Sequence, residues 1–399
     1  MSYQESSSLA LSMERDPVCP LDPPPPYARL RKEAPVSRVT LWGGKQSAWL
    51  VTRWEDARTL LTSPGVSVDR GHANFPGNSA QEMPPGFFVG QDDPLHTVFR
   101  TALTREFMVK RVEALRGPTR QILAGLLDGL EARGGPVDFV EEVALPLPSL
   151  VICALLGVPY GDHSFFQEHS RTLIDITVSD EEKVAAHIAL GDYLEEMVRD
   201  RLRNPKDDLV GRLAVHTESG TFSVRDAADV GAFLLFAGHE TTANMIGLGV
   251  LALLDHPEQR ERLYQGQTEL ANAVEELLRF LSIAHVGLSR VVTQDVRLGD
   301  VTIPAGDGVV IMLNSANRDE DVFPGGDALD LMRVNARQHV AFGYGVHQCL
   351  GQPLARMELQ MTLPEVFRRL PGLRVAPGEK VEFKDDSAAY GARHMPVTW

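Results

Sequence analysis

The chain has 399 residues, 43% apolar and 23% charged, with 39 Lys and Arg against 54 Asp and Glu for a formal net charge of −15. This is an ordinary globular composition, long enough to bury a large core without covalent staples. The acidic balance argues against a general nucleic-acid binder, which needs basic surface to displace counterions from phosphates.

Residues 1–26 end in Pro23–Pro26 and read as an extended, proline-rich lead-in. Met1–Asp16 contains no basic stretch followed by an apolar run, so no signal peptide or anchor is expected there. Val36–Trp42 and Ser47–Thr52, parted by Gly43-Gly44, predict a β-hairpin. Residues 65–91 are rich in Gly, Pro, Asn and Ser, the signature of a long lid or binding loop. Its Phe75, Phe87 and Phe88 either line a pocket or anchor the loop on the core, and the sequence leaves both open.

Helical periodicity dominates from Pro94 to Leu281. The outstanding segment is Ser223–Asp255: Ser223 with Asp226 forms a capping box, and Pro257 forbids continuation. Such a helix spans roughly 50 Å. Phe233–Ala237 is apolar all round, which predicts a central, buried position. The longest apolar run, Val230–Gly238, falls far short of the roughly 20 residues of a membrane span. Strand-like runs return at Ser289–Thr293 and Val309–Leu313, and a last helix covers about Gln352–Leu370. With no repeat and no clear linker, the expectation is one large, mainly α domain over 27–399 with small β-sheets.

Four constellations carry chemistry. In Phe342-Gly343-Tyr344-Gly345-Val346-His347-Gln348-Cys349-Leu350-Gly351, three glycines imply tight backbone beside something flat or bulky. The cysteine just before a helix start would be held as a thiolate, a soft metal ligand. The competing reading is a small structural cysteine. Cys19, Cys153 and Cys349 are too few and too scattered for a disulfide framework, which points to a reducing, cytoplasmic setting. In Ala237-Gly238-His239-Glu240-Thr241-Thr242, an acid and a hydroxyl are costly to bury in an apolar helix without a purpose. Gly238 reads as removing a side chain to leave room for a small ligand. A second reading, compatible with the first, is a kink with Thr241 bonded back to a carbonyl one turn earlier. Glu276 and Arg279 share a helix face, as surface pairs commonly do. His96 and Arg100, four apart after Pro94, suit an anionic ligand.

Together, in this order, these motifs resemble the cytochrome P450 family of haem-thiolate monooxygenases, and the soluble bacterial branch above all; Asp92–Arg100 and Ala316-Asn317-Arg318-Asp319 agree with that branch. The resemblance covers nearly the whole chain. It implies haem b between the long central helix and the cysteine-loop helix, with Cys349 as proximal ligand and Phe342 shielding the thiolate. Gly343, Leu350 and Gly351 would shape and tune that loop. His96, Arg100, Arg290 and His347 would hold the propionates, and Ala237 would lie against the ring. Thr241 and Glu240 would organise water and deliver protons during O2 activation, while Glu276 and Arg279 would brace the fold. The family's basic third partner for that pair is missing at Ala328, so either Arg333 replaces it or the pair stands alone.

The resemblance further implies electrons from NAD(P)H through a ferredoxin reductase and a ferredoxin, which would dock near Arg105, Lys110 and Arg356. It implies a monomer with no membrane partner. The substrate pocket would be lined by Phe87, Phe88, Phe233, Ala237, Val286, Leu288 and Tyr390. These suit a medium or large hydrophobic substrate such as a polyketide or macrolide, terpenoid or steroid-like molecule, to be hydroxylated or epoxidised. A non-turnover haem sensor, or an atypical enzyme performing oxidative coupling or desaturation, is the alternative. Glu240-Thr241 favours the enzyme, because a sensor needs no proton delivery.

Overall fold

The computed structural model describes residues 9–11, 13–41, 46–77, 84–174 and 177–399. The chain forms two compact units, the first made of Met1–Met83, Val89–Asp92 and Glu275–Cys349, the second of Pro84–Phe88, Asp93–Val274 and Leu350–Trp399.

The first unit is built on a six-stranded sheet in the order Leu9–Ala10, Val36–Thr40, Ser47–Val51, Gly308–Ile311, Leu288–Val292, Val66–Ser67. Val36–Thr40 and Ser47–Val51 pair antiparallel, from Val36 opposite Val51 to Thr40 opposite Ser47, as the hairpin reading requires. The turn residues Trp42, Gly43 and Gly44 lie outside the described residues. Alternation along the strands sorts side chains to two faces. Val39, Leu50 and Val310 pack with Leu11, Tyr27 and Leu30 on one face. Val51, Val309 and Ile311 pack with Leu60 and Leu61 of helix Trp54–Thr62 on the other. The proline-rich lead-in joins this unit: Leu9 pairs with Val39, Leu11 and Leu21 are buried, and Asp22 meets the buried Arg318 at 3.1 Å.

The second unit is helical. Its centre is the 32-residue helix Val224–Asp255, opened by a complete capping box between Ser223 and Asp226. Helices Pro146–Leu156, Asp180–Arg203 and Gln352–Arg369 pack on it. From Ala227 to Leu253 every residue of the long helix is buried except Phe236, Ala237, Gly238 and Thr241. The C-terminal segment adds a three-stranded sheet, Arg374–Val375, Pro396–Thr398 and Val137–Asp138, and a hairpin of Glu382–Phe383 with Ala392–His394.

The stretch 65–91 is less irregular than its composition suggests. It contributes the edge strand Val66–Ser67, and a tight turn spans Phe88–Gly90. Positions 78–83 lie outside the described residues. Phe75, Phe87 and Phe88 are all buried.

Candidate active site

In the first unit the cysteine loop is shaped by its glycines. Gly343 and Gly345 adopt φ of +70° and +74°, a region that side chains oppose. A Cβ at Gly345 would also run into the Leu61 carbonyl. Tyr344, held between them, accepts a hydrogen bond from Arg58, whose guanidinium lies 4.1 Å from the Tyr344 ring and 4.4 Å from that of Trp54. The loop is thereby stapled to helix Trp54–Thr62. The Gly343 N–H donates to Val340 O at 2.8 Å and the Cys349 N–H to Phe342 O at 2.9 Å, closing the turn. The Cys349 thiol is exposed at the end of this fixed backbone. His347 ends the short turn Gly345–His347 and is half-buried, as is Phe342.

The neighbouring strand Leu288–Val292 brings Leu288 to 3.8 Å from the missing side chain of Gly343. Two residues on, the recessed Arg290 donates to Ser289 O at 2.7 Å. Desolvation pushes its pKa down to about 10, opposed by Asp92. The Asp92 carboxylate also accepts from the Ser67 hydroxyl and from Val68 N–H, at 3.1 Å for the latter. Val286 and Leu288 are half-buried.

Behind the loop, Glu276 and Arg279 are fully buried and form a two-pronged pair at 2.7 and 2.8 Å. Arg279 also donates to the carbonyls of Asn317, Gly326 and Ala328. Arg333 takes the third place: its Nε lies 3.1 Å from Glu276 Oε1, and its remaining nitrogens bond Pro324, Gly325 and Ala328 carbonyls. The pair does not stand alone, and Ala328 contributes its carbonyl in place of a basic side chain. A commonplace surface pair is excluded by burial.

In the second unit the break in burial on the long helix marks one strip, with Ala237 and Thr241 one turn apart. Thr241 Oγ1 donates to Ala237 O at 2.7 Å, so the hydroxyl's lone pairs remain free to accept. A Cβ at Gly238 would meet Ile152 Cδ1 at 3.2 Å, so the glycine also admits helix Pro146–Leu156, while its position stays on the uncovered strip. His239 is buried and its pKa falls to about 4 through desolvation, which keeps it neutral.

Glu240 is buried with one oxygen held. Lys384 Nζ bonds Glu240 Oε1 and also Asn244 Oδ1, the latter at 2.8 Å, while Glu240 Oε2 has no hydrogen-bond partner. Sequence reasoning missed Lys384. Nothing local distinguishes it from other lysines, because its partner lies 144 positions away.

Phe87 and Phe88 meet Phe233 edge-on, with centroids 5.3 and 5.2 Å apart, so they anchor their segment on the long helix. His96, on helix Leu95–Thr104, is buried beside Phe88, and Arg100 follows one turn later, half-buried. Tyr390 is buried in the C-terminal hairpin and stacks on Phe383 at 5.5 Å. Leu350 and Gly351 lead into helix Gln352–Arg369, where Gly351 O accepts from Ala355 N–H at 3.0 Å. Arg105 and Lys110 are exposed, and Arg356 bonds Gln352 at 2.6 Å.

The residues of each unit suit a flat, anionic, metal-bearing group. The first offers an exposed soft donor on a rigid loop and a desolvated arginine suited to a carboxylate. The second offers a helix strip uncovered only at small or hydroxyl-bearing positions and at Phe236, with a buried acid beside it.

Residues 183–392 match the family model described as cytochrome P450. The chain is 46% identical over 398 residues to cytochrome P450-SU2 of Streptomyces griseolus, covering 98% of this chain and 97% of that one. It is 42% identical over 386 residues to the 20-oxo-5-O-mycaminosyltylactone 23-monooxygenase of Streptomyces fradiae, covering 96% and 91%. The crystal structure of GfsF, the name of a Streptomyces halstedii cytochrome P450, superposes with a TM-score of 0.91 at 43% identity, covering 98% of this chain and 100% of that one.

Proposed function

The chain belongs to the cytochrome P450 family and is a haem-dependent monooxygenase; from that premise we propose that it inserts one oxygen atom into a hydrophobic natural product of macrolide, terpenoid or steroid-like character. The half-held carboxylate of Glu240, buried one residue from Thr241 on the uncovered strip of the long helix, carries the reading. A non-turnover sensor has no use for it.

Haem, when bound, supplies the redox-active iron at which O2 is reduced. Cys349 Sγ would be its protein ligand, on a loop whose backbone is held by its own hydrogen bonds and its left-handed glycines. Phe342, Gly343, Leu350 and Gly351 shape that loop. Arg290, whose buried charge lacks a bidentate carboxylate partner, holds a propionate, as do His96, Arg100 and His347. Thr241 accepts a hydrogen bond from water while donating to Ala237 O. Glu240 Oε2 would hold a proton and hand it to the water bonded at Thr241 Oγ1, taking another from water in return, with the carboxylate oriented by the bond at Oε1. Phe87, Phe88, Phe233, Ala237, Val286, Leu288 and Tyr390 give the substrate an apolar surround. We propose that the whole of 27–399 works as one catalytic domain. Electrons come from NAD(P)H through a reductase and a ferredoxin, which docks near Arg105, Lys110 and Arg356, in a cytoplasmic monomer. Among the described residues no helix is long and apolar enough to cross a membrane.

The test is turnover under labelled dioxygen. Haem-loaded enzyme with ferredoxin, reductase and NADPH is offered macrolides, terpenoids and steroids that shift the haem spin state. One labelled oxygen atom in the product supports the proposal. Tight binding across the panel with no oxygenated product would sink it in favour of a sensor.

A further inference from the structure

We infer that Lys384, on the C-terminal hairpin, is the positioning residue for Glu240: it clamps one carboxylate oxygen so that the other serves the proton relay. The inference rests on the relay role given to Glu240 above.

The hairpin fixes the backbone of Lys384. Its backbone N–H donates to Gly391 O at 2.9 Å, directly after the paired strand Glu382–Phe383. The ammonium then spans one turn of the long helix, from Glu240 to Asn244. Asn244 is itself oriented, because its side-chain amide donates to Ala389 O at 3.1 Å and so turns its oxygen toward the ammonium. Gly391 permits the approach, since a Cβ there would collide with the Asn244 side chain. Every link between helix and hairpin in this set converges on the Glu240 turn.

The electrostatics demand the clamp. Glu240, Asn244 and Lys384 are all more than nine-tenths buried, at 2%, 2% and 8% exposure. A carboxylate this deep without a counter-charge takes up a proton or turns toward water. Either response removes the oriented acceptor at Oε2. His239 is adjacent but neutral and cannot replace the ammonium. The orientation of the acid is thus set by a hairpin residue 144 positions downstream of it, and not by the helix alone.

The experiment uses the haem-loaded full chain as wild type, K384M, K384R, E240Q and E240Q/K384M. Two quantities are read without any added substrate: the melting midpoint, and the share of NADPH-driven O2 consumption that ends as peroxide with ferredoxin and reductase present. Expected are a drop in midpoint on the order of 5–10 °C in K384M, more than half of it recovered in the double variant because the stranded carboxylate is gone, and a small change in K384R. The peroxide share rises severalfold in K384M and in E240Q, no further in the double variant, and is intermediate in K384R. Additive midpoints, or a K384M peroxide share equal to wild type while E240Q raises it, would overturn the positioning role and leave the relay role standing. An E240Q protein identical to wild type in peroxide share would remove the relay role itself, and this inference with it.

Discussion

Arg333 Nε lies 3.1 Å from Glu276 Oε1 and turns the buried Glu276–Arg279 pair into a three-membered cluster. Replacing Arg333 by Met leaves Glu276 with one cation where it had two, and deprives the carbonyls of Pro324, Gly325 and Ala328 of a donor. Removing one partner of a buried ion pair costs about 3–5 kcal/mol. Because Arg279 stays, the expected loss for R333M is about 3 kcal/mol, with R333K intermediate for want of the planar fork. Urea unfolding followed by far-UV circular dichroism measures it, and a midpoint unchanged in R333M would deny Arg333 any bracing role.

That cluster shows which parts of the molecule the sequence makes legible. The pair itself is visible because i, i+3 spacing is local geometry; its third member, Arg333, is only one of two open readings in the sequence, because it sits 57 positions away from Glu276 in a stretch without periodicity. The long helix is legible at both ends, through the Ser223 capping box and Pro257; its apolar middle reads as buried throughout, and the structure buries Phe233–Leu235 but leaves Phe236 and Ala237 on the uncovered strip. What the sequence does not encode locally is which neighbour each face meets. The packing of Gly238 against Ile152 is therefore not readable from its neighbours in the chain, and Lys384 reads as one lysine among many when it is the counter-charge of Glu240.

Asp229, buried on the same helix, gives a pH prediction. Desolvation raises its pKa from 3.8 to about 6, against the opposing pull of Arg225, with Asp226 and Glu195 adding to the rise. Arg225 Nε lies 3.0 Å and His187 Nε2 3.7 Å from its carboxylate. His187 stays neutral at higher pH because desolvation and Arg225 lower its own pKa. A raised folded-state pKa means the folded form holds the proton more tightly. Its stabilising contribution is complete below the unfolded value and is lost as pH climbs through about 6. The stability of D229N relative to wild type should therefore rise between about pH 4 and 6.5, by up to about 3 kcal/mol, and then level off. A difference that stays flat across that window in denaturant titrations would refute the assignment.

Gly86 is a point of close approach. A Cβ there would fall 2.7 Å from Val230 N and 2.8 Å from Asp226 O, both backbone atoms of the long helix that cannot swing aside. G86A must lift the segment that carries Phe87 and Phe88 off Phe233, at a cost of about 1–3 kcal/mol. Binding of any spin-shifting hydrophobic ligand should weaken by roughly tenfold, since the aromatic wall moves with the segment. Isothermal titration of G86A against wild type with one such ligand is the measurement. Equal affinities would show that this wall does not touch the ligand.

The three thiols differ enough to report on the cofactor without turnover. Cys153 is buried on helix Pro146–Leu156, and desolvation pushes its thiol up to about 12, so it should resist alkylation near pH 8. Cys19 and Cys349 are both exposed. Haem-free chain should therefore react with iodoacetamide quickly at Cys19 and Cys349, and at Cys153 only after denaturant is added. Loading with haem should protect Cys349 alone, because a thiolate bound to iron is no longer a nucleophile. Peptide mapping by mass spectrometry assigns each site. If Cys349 alkylates equally fast with and without haem while Cys19 and Cys153 keep their rates, Cys349 is not the iron ligand, and the reading of the glycine-rich loop as a thiolate cradle falls with it.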